Sequence, residues 1–65
     1  MKVREVLKRL NDEGWEQVRM RGDHRQFKHP DMPERRVTVA GHPRDDIDIG
    51  TLKSIYEQTG WEDRP

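Results

Sequence analysis

Apolar residues recur along this chain in two helical stripes, with three alternating stretches between them. Val3, Val6, Leu7 and Leu10 stand at i, i+3, i+4 and i+7, one face of an α-helix. The spacing predicts a helix over about residues 2–13. Glu5 and Arg9, four apart, are placed to pair on its outer face, and Gly14 is placed to end it in the left-handed conformation. Residues 15–20 alternate as a strand, with Val18 and Met20 on one face and Trp15, Gln17 and Arg19 on the other. Arg21-Gly22-Asp23 is turn chemistry, and residues 24–29 alternate again around Phe27. Pro30-Asp31-Met32-Pro33-Glu34 reads as a second turn, because proline lacks the N–H that regular pairing requires. A third strand over about 35–40 turns Val37 and Val39 inward and Arg36 and Thr38 outward, and Gly41-His42-Pro43 ends it. Arg44 to Ile47 is a loop, Asp48 is placed as an N-cap, and Ile49, Leu52, Ile55, Tyr56 and Thr59 form a second amphipathic helix over about 49–59. Gly60 stops that helix, Trp61 folds back as an apolar cover, and Glu62-Asp63-Arg64-Pro65 is expected to fray.

The predicted order is α-β-β-β-α, an α+β class. Two striped helices can bury their apolar faces together on one side of a three-stranded antiparallel sheet, leaving the other side open. Residues 1–65 are read as a single small domain, since a second could not bury a core of its own. Charged residues make up 40% of the chain and hydrophobic ones only 29%, yet the apolar positions are periodic, which argues for folding rather than disorder. Cysteine is absent, so there is no disulfide framework and no thiolate metal site. No apolar run approaches a membrane span, and the charged start Met1-Lys2-Val3-Arg4-Glu5 is unlike a signal peptide, so a cytoplasmic location is expected. Net charge is zero but unevenly divided. Residues 1–29 carry eight basic and five acidic side chains, net +3, and residues 30–65 carry five and eight, net −3.

The chemistry-bearing stretch is Arg21 to Pro30, on the basic side. Strand alternation puts His24, Gln26 and Lys28 on one face and Arg25, Phe27 and His29 on the other. If Phe27 faces the core, His24 stands on the open face beside a cation. Histidine transfers protons near neutral pH, and Lys28, Arg19 and Arg36 on the same face can hold an anionic substrate. A metal centre fits less well, because His24 and His29 differ by an odd number and face opposite sides of one strand. The Asp45-Asp46-Ile47-Asp48 run lacks the central Gly and terminal Glu of a calcium loop and reads as a solvated loop and helix cap. There is no phosphate-cradling glycine loop and no activated-serine motif.

Several motifs in order carry a resemblance over nearly the whole chain. They are Gly14-Trp15, Arg21-Gly22-Asp23-His24 running on to His29-Pro30, Val37-Thr38-Val39, His42-Pro43, Gly50-Thr51-Leu52-Lys53-Ser54-Ile55 and Gly60. In these the chain resembles HicA-type toxins of the YcfA-like family, the RNA-cleaving members of type II toxin–antitoxin pairs. The resemblance implies a fold like a double-stranded-RNA-binding domain, in agreement with the pattern. It implies an mRNA interferase, a metal-independent endoribonuclease that arrests translation as part of a stress response. It also implies mRNA and a HicB-like antitoxin as partners, no cofactor and no membrane association. Carried over, His24 is the catalytic residue, and Arg19, Arg21, Gly22, Arg25, Lys28 and Arg36 contact RNA. The chain departs from the family in carrying Asp23 where Ser is frequent and Arg25 where a second His is common, and in being neutral rather than basic. Two other classes keep the same fold: a non-catalytic module that binds double-stranded RNA by shape, and an interaction protein whose open face only docks a partner.

Overall fold

The computed structural model describes residues 1–63. Its elements are α1 (Val3–Asp12), β1 (Glu16–Arg21), β2 (His24–His29), β3 (Met32–Val39) and α2 (Ile49–Thr59). The three strands form one antiparallel sheet in the order β1-β2-β3. This is the α-β-β-β-α arrangement of a double-stranded-RNA-binding-domain-like fold. Val3, Val6 and Leu10 of α1 and Leu52, Ile55 and Tyr56 of α2 share a single core with Phe27, Val37 and Val39 of the sheet, closed off by Trp15 and Trp61. Arg64 and Pro65, half of the tail expected to fray, lie outside the described residues.

Each helix is ended by specific polar contacts. The first N–H groups of α1 have no partner within the helix. The Val3 and Arg4 N–H groups donate to the carbonyls of Asp45 and Pro43, both at 2.9 Å, and Lys2 N–H donates to the Glu5 carboxylate at 3.0 Å. Glu5 is therefore occupied at the helix start. Arg9 pairs instead with Glu13 (3.0 Å) and, through both terminal nitrogens, with Asp63 (3.1 and 3.0 Å). The expected Glu5–Arg9 pair is absent because Glu13 is equally spaced and the Asp63 contact is bidentate. Asp63 is thus held against α1 rather than frayed. The Asp63 contact, seconded by Glu13, keeps the Arg9 guanidinium protonated well above its usual range and, in return, holds the Asp63 carboxyl below its own.

At the far end of α1, Gly14 N–H donates to Asn11 O at 3.2 Å and Trp15 N–H to Leu10 O at 2.9 Å, with Gly14 at φ +90°. This is a Schellman stop, and it drops the Trp15 side chain into the core beside Leu10. A Cβ at Gly14 would stand 3.2 Å from His29 Nε2, a tight contact that adds pressure on His29 to the strain that φ +90° imposes on any other residue. Helix α2 starts at Asp48, which accepts the Thr51 N–H (3.1 Å) and hydroxyl (2.7 Å), and stops at Gly60 with φ +82°. Arg35 of β3 donates to the carbonyls of Glu57 and Gln58 at the C-terminus of α2, both at 3.2 Å, where a cation also suits the helix dipole.

Two strands differ from the simple alternation. β1 has a bulge at Val18: Gln17 pairs with Phe27, whereas Arg19 pairs with Gln26. The extra residue breaks the period, so Gln17 and Arg19 stand on opposite faces, Gln17 on that of Phe27 and Arg19 on that of His24, with Met20 on that of Arg25. Every residue of β1 is exposed, Val18 and Met20 at 52% and 55%, because the apolar stripes of the helices meet β2 and β3 and not this edge. β3 begins three residues earlier than the prolines suggest. Met32 pairs with His29, the turn shrinks to Pro30-Asp31, and Pro33 sits within the strand. Pro33 is tolerated there because β3 is an edge strand and one of its N–H positions can be dispensed with.

The hydrogen bonds from Thr51 hold the Asp48 carboxyl below the ordinary carboxylate range. A carboxylate with a lowered folded-state pKa stabilises above its unfolded pKa of about 3.9 and loses that contribution as pH falls through the folded value. Asp48→Asn should cap α2 without this titration. The stability difference between wild type and Asp48→Asn, measured by denaturant melts from pH 7 downward, should change only below about pH 4, and there to the disadvantage of the wild type.

Candidate functional site

β1 and β2 are joined by Gly22-Asp23, with Arg21 and His24 directly opposite each other. Gly22 has φ +60°, and among the described residues none other than glycine has positive φ, which matches a two-residue II′ turn. Nothing lies within 4 Å of the place a Gly22 Cβ would occupy, so the hairpin tip is open to an approaching ligand.

The pairing register builds the open face row by row. Residues directly opposite across a sheet share a face. The first row is Arg21 and His24, the second is Arg19, Gln26 and Thr38, and the third is Glu16 and Lys28. Arg36 joins the middle row, since its Nη1 donates to Gln26 Oε1 at 3.0 Å. Phe27, on the other side of β2, is 6% exposed, and Val37 and Val39 are fully buried, so this face is the one away from the helices. His24 Nε2 lies 3.5 Å from the Asp23 carboxylate, at ion-pair distance when the ring is protonated. Among the described residues, no carboxylate stands within 4 Å of the cationic nitrogens of Arg19, Arg21, Lys28 or Arg36. The face therefore carries four cations held in no ion pair among the described residues, and an accessible imidazole.

A family model described as the HicA toxin of bacterial toxin–antitoxin systems matches residues 3–61. The chain belongs to the HicA toxin family. No curated protein matches it.

In this HicA toxin chain the candidate residues do not all stand together. His24, Arg19, Arg21, Lys28 and Arg36 share the open face, with Gly22 at its rim. Arg25 projects from the opposite side of β2, where its Nη1 donates to the Gly41 carbonyl at 2.8 Å and ties β2 to the loop after β3. That placement follows from the alternation, which already separates Arg25 from His24. One residue of the face, Glu16 opposite Lys28, was not anticipated as part of it, and neither was the hydrogen bond by which Gln26, already expected there, holds Arg36. Neither is visible without the register, which a bulge sets in one strand and an irregular turn in the other.

The other features settle into the framework. His29 uses both ring nitrogens: Nε2 lies 2.7 Å from Glu13 O, and Nδ1 accepts the Asp31 N–H at 3.1 Å. Its ring meets Trp15 edge-on at a centroid distance of 5.3 Å. The pairing requires the neutral Nε2–H tautomer. Asp45 accepts the His42 N–H, Asp46 pairs with Lys2, and Asp48 caps α2. These three carboxylates and Asp23 border a cavity of about 250 Å³ that is electrostatically unsuited to a phosphate. Among the described residues, no three or more His, Asp or Glu converge as metal ligands, and no helix is long and apolar enough to cross a membrane.

His29→Ala removes two hydrogen bonds and the contact with Trp15, so it should cost about 1–3 kcal/mol of stability. Thermal melts should show this loss.

Proposed function

We propose that this HicA toxin is a metal-independent endoribonuclease acting on mRNA through His24, and that a HicB-like antitoxin neutralises it by covering the same face. The observation that carries the reading is the Arg21–His24 pair: an accessible imidazole directly across the sheet from a guanidinium, on a face with three further cations. Such a face attracts a polyanion, and the imidazole supplies what RNA cleavage needs without an outside nucleophile.

The reaction follows from the substrate's chemistry. His24 takes the proton of a ribose 2′-OH. The 2′-oxygen attacks the adjacent phosphorus, and the bond from phosphorus to the 5′-oxygen breaks. That oxygen takes its proton from solvent water, giving a 5′-OH end and a 2′,3′-cyclic phosphate, and His24 returns the proton it took to solvent before the next turnover. Arg21 lies nearest for the charge that builds on the phosphoryl oxygens. The Asp23 carboxylate offsets the charge His24 gains on taking the proton.

His24→Ala should lower cleavage by about 10²–10⁴-fold and abolish growth arrest on expression. His24 is exposed and outside the core, so the melting curve should hardly move. Wild-type products should carry cyclic phosphate ends and form in the presence of chelator, and a 2′-deoxy substitution at the scissile position should block the cut. A His24→Ala protein that cuts at the wild-type rate, or products with 3′-OH ends, would sink the mechanism.

An antitoxin that covers this face has to neutralise its cations, and acidic side chains are the complementary chemistry. Lys28→Ala with Arg36→Ala should therefore weaken RNA cleavage and antitoxin affinity together, read by cleavage rates and by calorimetric titration with the antitoxin. Complete separation of the two effects would show that inhibition acts from elsewhere.

A further inference from the structure

Gln26 occupies the centre of the open face, paired with Arg19 on one side and Thr38 on the other. Its Oε1 accepts from Arg36 Nη1 at 3.0 Å. A guanidinium has donors only, so this contact fixes which way the amide points. The oxygen faces Arg36, and the two N–H donors of Nε2 are left without a partner among the described residues. The carboxamide thus orients an arginine without cancelling its charge, which a carboxylate in the same place would do.

Spacing adds to this. Gln26 is two residues from His24 on the same face, about 6.8 Å at the strand rise of about 3.4 Å per residue. That matches the separation of consecutive phosphates along an extended RNA strand. Lys28 lies one further step along, but Glu16 stands opposite it and tempers the charge there. The strongest donor group one phosphate away from His24 is the Gln26–Arg36 pair, flanked by Arg19.

We propose that Gln26 and Arg36 together form the subsite for the phosphodiester next to the scissile one, so that the RNA strand runs along β2 from His24 toward Lys28. The inference rests on the reading of His24 as the cleaving group. It adds a residue and a direction that this reading does not contain.

The test neutralises the phosphate and the protein separately and together. A short RNA is prepared with its natural linkages, then with one methylphosphonate 5′ of the scissile linkage, then with one 3′ of it. In the wild type, neutralising one of these two neighbours should raise KM about tenfold, with the loss in KM rather than in kcat. Gln26→Ala should show a similar rise with the natural RNA and should no longer distinguish it from that methylphosphonate. Arg36→Gln should behave the same way, which guards against a folding defect in one variant. A merely structural role would give losses that multiply instead of merging. The same pairs are measured by fluorescence anisotropy with 2′-O-methyl oligonucleotides, which cannot be cut by this chemistry. Coupling in binding without any cleavage by the wild type would retain the subsite and overturn the ribonuclease reading. Cleavage with neither neighbour coupled to Gln26 would overturn the subsite alone.

Discussion

β2 carries one large apolar side chain, and the burial of Phe27 decides where everything else on that strand stands. Burying a phenylalanine is worth roughly 1.5–3 kcal/mol. A slip of one residue would expose it and drive His24, Gln26 and Lys28 into the core, where unpaired polar groups cost as much again or more. The two contributions add, so the register is strongly specified. The II′ turn at Gly22-Asp23 fixes the other end of the same hairpin. Between them, these two constraints put His24 opposite Arg21 on the open face.

This constraint is local and periodic, which is why the centre of the fold was legible in the sequence. The helical stripes, the Asp48 cap, the glycine stops and the inward valines all depend on near neighbours, and all stand close to the positions expected of them. The departures occur where one residue's state depends on a distant partner. Nothing near Val18 announces a bulge, because the bulge reconciles β1 with a strand it meets only after folding. Pro33 argues against a strand until it is known that β3 lies at an edge. Arg9 has acceptable partners at Glu5 and Glu13, and the choice was made by Asp63, 54 residues away. The candidate site divides the same way. Which residues share the face of His24 on β2 follows from alternation alone, whereas the rows across the sheet, with Glu16 and Gln26 in them, require the register.

A chain of 65 residues has little core to spend, and its framework relies on cations used as fasteners. Arg9 stacks on Trp61 at 4.0 Å while it grips Asp63, and Trp61 in turn donates to Glu13 at 2.7 Å. Arg25 holds Gly41, Arg35 caps α2, and Lys2 reaches Arg44 O and Asp46. These contacts tie loops and chain ends to the helices. They leave Arg19, Arg21, Lys28 and Arg36 on the open face with no carboxylate within 4 Å among the described residues. A net charge of zero therefore says little about affinity for a polyanion. What counts is that many of the acidic groups are engaged in caps, in loop contacts and around one cavity, while one face keeps four cations outside any ion pair among the described residues.

The three histidines show how the same side chain is sorted by its surroundings. His29 has both nitrogens engaged and a tryptophan against its ring, so taking up a proton at Nδ1 would break its bond to the Asp31 N–H in the turn after β2. His42 sits in the loop after β3, apart from the rows of cations on the sheet. His24 has neither nitrogen committed to the backbone, a carboxylate at ion-pair distance and a guanidinium opposite. A group that must take up and release a proton within each turnover needs a nitrogen that the fold does not require. Of the three, only His24 combines that freedom with a place among the cations of the open face.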